Sequence, residues 1–126
     1  MPKILIADDD PLMRRMLKET LEKLEDKGVE LLAVDNGEEA IEIVRTEKPD
    51  LIILDVMMPG MNGFEVCDIV KNELGMKDVY VLILTVNAQG FNKQKYKDVG
   101  ADNFMTKPFN PDEIIKKAAE ILEIET

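Results

Sequence analysis

Four short runs in this chain, three of them wholly apolar, each end on residues able to do chemistry. ILIA runs into Asp8-Asp9-Asp10, LIIL into Asp55, VLIL into Thr85, and DNFM into Thr106-Lys107-Pro108. Brought to one place, they would supply two or three carboxylates, a hydroxyl and an ammonium. Carboxylates within a few ångströms of each other repel by roughly 1–4 kcal/mol per pair, between water-like and surface-like dielectric, and a cation offsets that repulsion. All-oxygen ligands point to Mg²⁺, Mn²⁺ or Ca²⁺, and few fixed ligands with room for water favour Mg²⁺, with Mn²⁺ as a substitute. A carboxylate beside such an ion is a poor base but a usable nucleophile toward phosphorus, and its attack gives an acyl phosphate. The phosphoryl group in transit carries spread negative charge, so positioning and cationic stabilisation do most of the work. A cation on one oxygen, a lysine on the second and a threonine hydroxyl on the third would suffice. No glycine-rich nucleotide loop is present, so the phosphoryl donor is expected to come from elsewhere.

Each residue alone also has an ordinary explanation. With 26 acids in 126 residues, a local Asp-Asp-Asp is unremarkable. Asp10 is placed to cap a helix that Pro11 opens, and an Asp after a strand often starts a turn. Their arrival at one edge of a sheet is what carries weight, and that depends on the elements between them.

Those elements alternate. Ile4 to Ala7 reads as a strand, and Leu12, Met13, Met16, Leu17, Leu21 and Leu24 then recur at helical spacing up to Lys27-Gly28. Residues 29–34 form a second strand. Asn36-Gly37 reads as a turn before a helix marked by Ala40, Ile41 and Val44. A third strand, 51–54, leads through Pro59-Gly60 to a helix over 62–74. Residues 79–84 are a fourth strand, 89–99 a weaker helix interrupted by Gly90, and 102–105 a short fifth strand. Asn110 and Pro111 start a last helix along Ile114, Ile115, Ala118, Ala119 and Leu122. Strands one, three and four are apolar throughout, as a parallel sheet covered on both faces requires. The expected fold is a doubly wound α/β domain, (βα) five times over, with residues 1–126 as a single domain and no output domain visible. In such sheets ligands bind beyond the carboxyl ends of the strands, where these acids fall.

Composition narrows the chemistry further. There is no histidine, which excludes Ser-His-Asp and Cys-His catalysis, HExxH zinc sites and a self-phosphorylated histidine. A net charge of −10 works against direct contact with nucleic acid. No apolar run approaches a membrane span and no signal peptide opens the chain, so a cytoplasmic location is expected. Cys67, the lone cysteine, reads as a small buried hydrophobe. Met13, Met16, Met57, Met58, Met61 and Met105 read as core or loop packing. Gly63 and Pro59-Gly60 read as turn chemistry, and Tyr80 and Tyr96 have no motif around them.

Taken in this order and spacing, ILIADDDP, LIILDVMMPGMNG, VLILT and TKPF resemble the (CheY-like) receiver domain of two-component response regulators, over essentially the whole chain. The resemblance implies a flavodoxin-like five-stranded parallel sheet in the order 2-1-3-4-5. It implies Asp55 as phosphoacceptor and Asp8 and Asp9 as the Mg²⁺-binding acidic pair, with Asp55 completing the carboxylates. Met57 would lend the metal its backbone carbonyl. Thr85 matches the switch hydroxyl, Lys107 the phosphate-pairing lysine before a cis-capable proline, and Phe104 the aromatic switch position. The implied partners are a histidine kinase or phosphotransfer protein and a downstream protein that docks on the face of the fourth helix, fifth strand and fifth helix. The chain would be a monomer or a dimer formed on phosphorylation, a switch rather than an enzyme, without nucleic-acid contact or membrane insertion of its own.

This chain departs from the family pattern at three places. Val86 stands where a small residue is usual and is expected to slow exchange with small phosphodonors. Asn87 occupies a position that modulates dephosphorylation. Residues 89–99 carry Lys93, Lys95 and Lys97 against Asp98, which reads as a solvated helix face. Two rival functions are a Mg²⁺-dependent phosphatase or phosphotransferase working through an aspartyl phosphate, and a scaffold receiver that is never phosphorylated. The first needs a second Asp two residues after the nucleophile, where this chain has Met57. The second is opposed by the full set Asp9, Asp55, Thr85 and Lys107.

Overall fold

The computed structural model describes residues 1–86 and 93–124. Its elements are β1 (Lys3–Ala7), α1 (Pro11–Glu25), β2 (Glu30–Val34), α2 (Gly37–Glu47), β3 (Leu51–Asp55) and α3 (Gly63–Asp68), which continues into a π-helical segment (Ile69–Glu73). Then follow β4 (Tyr80–Thr85), α4 (Lys93–Val99), β5 (Asn103–Thr106) and α5 (Pro111–Leu122). All strand pairs are parallel, in the order β2-β1-β3-β4-β5. The order, the parallel pairing and the alternation are those expected.

Strand side chains alternate between the two faces of the sheet, and here each face carries its own core. Leu5, Ala7, Ile52, Leu54, Val81 and Ile83 pack under α2, α3 and the π segment, through Ala40, Val44, Val66, Cys67 and Val70. Ile4, Ile6, Leu51, Ile53, Leu82 and Leu84 face Leu17, Leu21 and Leu24 of α1 and Ile114 and Ala118 of α5. Burial on both faces explains why β3 is apolar without alternation until Asp55.

Helix starts follow local chemistry. Asp10 accepts the Leu12 N–H with Pro11 at the first position of α1, Asn62 and Glu65 form a reciprocal capping box on α3, and Asn110 accepts the Asp112 and Glu113 N–H groups ahead of α5. Asn36 caps α2 through the Glu39 N–H, so the expected Asn36-Gly37 turn is instead a helix start. A Cβ on buried Gly37 would lie 2.9 Å from Met61 Cβ and from Val66 Cγ2, so close packing is the reason for glycine there.

Other expectations shift. The third helix was expected to be continuous over 62–74. It opens into the π segment, where Leu74 N–H reaches Ile69 O at 2.8 Å and Val70 and Lys71 are both buried. Leu12, at 64% exposure, and Met16, at 44%, fall outside the buried stripe of α1. The stripe over the sheet needs only Leu17, Leu21 and Leu24, with Met13 at its edge. Met57 is likewise exposed rather than packed. Strand limits move by a residue, which brings Thr85 into β4 and leaves Asp102 just ahead of β5. Asn87 and the first part of the weaker helix, 89–92, lie outside the described residues.

Candidate functional site

The carboxyl ends of β1, β3 and β4 and the residue after β5 bring the chemistry to one edge. Asp8 follows β1 and is 1% exposed; its N–H continues the sheet ladder to Val34 O at 3.2 Å. Its Oδ1 accepts the Asp10 N–H at 2.9 Å, and its carbonyl accepts Arg14 Nη1 at 2.8 Å. Asp55, the last residue of β3, is 5% exposed. Lys107 Nζ bridges the two acids, 2.9 Å from Asp8 Oδ2 and 3.0 Å from Asp55 Oδ1. The Lys107 backbone is fixed in turn by its N–H on Thr85 O at 2.8 Å, and the Lys107-Pro108 bond is cis. Thr85 ends β4 and is buried.

Asp9 is exposed, yet one carboxylate oxygen from each of Asp8, Asp9 and Asp55 can be chosen so that all lie within 4.8 Å of one another. Oxygens bound to Mg²⁺ at about 2.1 Å stand about 3–4 Å apart. The spacing therefore suits a small hard cation after slight closure, and the donors are all oxygen. The loop after Asp55 is shaped by Gly60, at φ +76°, which supports its reading as a turn. Gly63 is different. It is the first residue of α3, its N–H bonds to Val56 O at 3.0 Å, and a Cβ there would collide with the Asp55 carbonyl. Close backbone approach, not a turn, fixes that glycine.

The two charged partners respond differently to this setting. Burial pushes the Asp55 carboxyl above its ordinary range and the Asp8 charge adds to the rise, against lowering by the Lys107 hydrogen bond and charge and by the Met57 N–H. Burial works against the Lys107 ammonium, but the hydrogen bonds and charges of Asp8 and Asp55 outweigh it and raise its pKa. One lysine faces two acids, so it gains twice while Asp55 shares it with Asp8.

Phe104 belongs to the packing rather than to the charged cluster. It stands opposite Ile83 in the β4–β5 register, and its ring meets Tyr96 of α4 edge-on, centroids 5.6 Å apart at 79°. Tyr96, which has no motif in the sequence, thus lies against Phe104. Val86, at 70% exposure, extends from the same edge as Thr85. Lys95 Nζ stands 5.5 Å from the centroid of the Phe64 ring, so this part of the lysine-rich face covers α3. Cys67 is buried as expected. Its thiol donates to Val99 O at 3.4 Å and is pushed up to about 12, chiefly by burial.

Two features escape a reading by motif. Arg14, one helical turn beyond the acids, holds the Asp8 carbonyl. Lys71 is 3% exposed and pairs with Asp102 at 2.8 Å. The signal for Lys71 was its place on the stripe Val66, Cys67, Val70, where a lysine needs a partner.

A doubly wound parallel sheet with an acidic pair, a central aspartate and a bridging lysine at its carboxyl edge defines a flavodoxin-like α/β domain with a charged site at that edge. The chain matches the response regulator receiver domain over residues 4–119 and belongs to that family. It is 39% identical over 120 residues to the alkaline phosphatase synthesis transcriptional regulatory protein PhoP of Bacillus subtilis, covering 95% of this chain and 48% of that protein. It is 34% identical over 115 residues to the DNA-binding response regulator MtrA of Mycolicibacterium smegmatis, covering 91% of this chain and 48% of the relative. The chain thus spans about half the length of these regulators. Among solved structures, the Vibrio cholerae chemotaxis protein CheY4 superposes with a TM-score of 0.84 at 36% identity, over 96% of this chain and 98% of that one. Among the described residues, no helix is long and apolar enough to cross a membrane.

Proposed function

We propose that this receiver domain is a phosphorylation switch in which Asp55 accepts a phosphoryl group from the phosphohistidine of a kinase or phosphotransfer protein. The observation that carries the reading is Lys107 Nζ held between Asp8 and Asp55 at the carboxyl edge of the sheet. An Asp55 oxygen attacks phosphorus in line with the departing imidazole. The P–N bond breaks with its electrons going to the ring nitrogen, and the histidine leaves as neutral imidazole when its other nitrogen carries the proton. Lys107 then exchanges a carboxylate contact for a phosphoryl oxygen. In this reading the hydroxyl of buried Thr85 takes a second. Asp8, Asp9 and Asp55, with the Met57 carbonyl, would hold Mg²⁺, which when bound supplies positive charge to a phosphoryl oxygen. Movement of Thr85 and Lys107 toward the phosphate would strain β4 and β5. Phe104 carries that change to the α4–β5–α5 face, where a downstream protein binds.

The test is incorporation from phosphoramidate, a small P–N donor, with Mg²⁺ present. Intact mass should show one phosphate on the wild-type chain and none on Asp55→Asn, with the adduct mapped to Asp55 in peptides. Undiminished labelling of Asp55→Asn would overturn the assignment.

A further inference from the structure

Asp8 is held at each of its polar atoms. Its N–H bonds to Val34 O, Oδ1 accepts the Asp10 N–H, Oδ2 accepts Lys107 Nζ, and its carbonyl accepts Arg14 Nη1. Asp9 differs. It is exposed, and among the described residues its side chain takes no hydrogen bond, yet its carboxylate converges on those of Asp8 and Asp55. With no side-chain bond to hold it, the region its carboxylate can reach is set by the Cα–Cβ direction that the backbone fixes. The peptide joining Asp8 to Asp9 is oriented at its carbonyl by the half-buried Arg14, which α1 carries through the Arg14 N–H bond to Asp10 O at 2.9 Å.

We infer that Arg14 is a positioning residue: its guanidinium clamps the Asp8–Asp9 peptide, aims Asp9 at the cation site and makes that site favour Mg²⁺ over Ca²⁺. The inference rests on the reading that the acidic cluster binds a divalent cation. Mg²⁺ demands near-ideal octahedral oxygens at short range, whereas Ca²⁺ accepts a looser and more variable shell. A rigid backbone between two ligands therefore favours Mg²⁺, and loosening it costs Mg²⁺ more than Ca²⁺. Charge alone predicts the reverse for affinity. A guanidinium near a cation site repels the cation, so its removal should tighten binding of both ions.

Calorimetric titration of the full chain with Mg²⁺ alone and with Ca²⁺ alone separates these effects. Arg14→Met is expected to lose Mg²⁺ affinity by about tenfold, in the range typical when a group supporting a metal ligand is removed. Its Ca²⁺ affinity should fall clearly less, so the Mg²⁺/Ca²⁺ preference narrows. Arg14→Lys, which keeps a cationic donor, should recover most of the loss. Arg14→Gln, which keeps a donor without the charge, should fall between and serves if Arg14→Met does not fold. Unchanged or tighter Mg²⁺ binding in Arg14→Met or Arg14→Gln overturns the inference, as does an equal loss for both ions. If the wild-type chain binds neither ion, the functional reading fails and the inference with it; a variant-specific result bears on Arg14 alone.

Discussion

Asp55 has to be ionised to act as a nucleophile, yet it is buried beside a second carboxylate. Its carboxyl is raised above the ordinary 3.8. Between that value and the raised one the folded chain holds a proton that the unfolded chain has released, so stability falls as pH rises through this window and stays lower above it. Asp55→Asn removes the cost while keeping an acceptor for Lys107. Without metal the variant is expected to be more stable than wild type by about 1 kcal/mol at neutral pH, the low end of one relieved carboxylate repulsion. The gain should vanish below the ordinary carboxylate range. Urea unfolding at several pH values measures it, and equal stability of the two proteins at neutral pH would contradict it. Lys107 behaves oppositely: its pKa is raised above 10.5, so the stability it contributes is present below that value and is lost as pH climbs through the folded-state value. Val86 is expected to act on access rather than charge. Its exposed side chain follows Thr85 at the active edge, so Val86→Ala should take up phosphate from acetyl phosphate several-fold faster; a rate no faster than wild type would remove Val86 as an obstacle.

At the scale of elements, α4 is tied down at its C-terminal end. The Asp98 carbonyl accepts Asn72 Nδ2 at 3.4 Å, the Val99 carbonyl accepts Cys67 Sγ, and Asp102 takes both Lys71 Nζ and the Val81 N–H at 2.8 Å each. The Lys71–Asp102 pair is asymmetric, since the lysine side chain is 4% exposed and the aspartate 32%. Asp102→Ala leaves the buried ammonium, among the described residues, with the Lys77 carbonyl alone, 3.0 Å away, and should cost about 3 kcal/mol. Lys71→Met leaves a carboxylate that water can reach and should cost about 1 kcal/mol. Denaturant unfolding compares them, and Cys67 reports locally: thiol labelling in native buffer should accelerate most in Asp102→Ala. A larger loss in Lys71→Met would show that burial of the lysine is not what the pair relieves. The parallel sheet and the charged edge were legible because strand-like runs ending on Asp8, Asp55, Thr85 and Lys107 are local signals, and the strand order was implied by the family resemblance. The π segment, Lys71–Asp102, Tyr96 against Phe104 and the packing of Gly37 and Gly63 were not. Each depends on a partner distant in sequence, and spacing along one element carries no record of what the next one offers.

For the whole molecule, a cation held at the acidic edge would link folding to cation binding. An ion that binds only the folded chain stabilises it by about 1.4 kcal/mol at ten times its Kd, which for a domain of this size raises Tm by a few degrees. Mg²⁺ should therefore raise Tm, EDTA should reverse the rise, and Asp55→Asn should blunt it; a Tm indifferent to Mg²⁺ would argue against a site at this edge. The edge is also assembled from nearly the full span of the chain. Asp8 and Lys107 are 99 residues apart in sequence, and Asp55 lies between them on the central strand. A nascent chain emerging from the ribosome displays its acids early and its lysine last. Until β5 docks, Asp55 lacks the Lys107 ammonium, so under the proposed function a partly folded domain would be a poor phosphoacceptor. Under the proposed function, phosphorylation would therefore report that the domain has folded as far as β5.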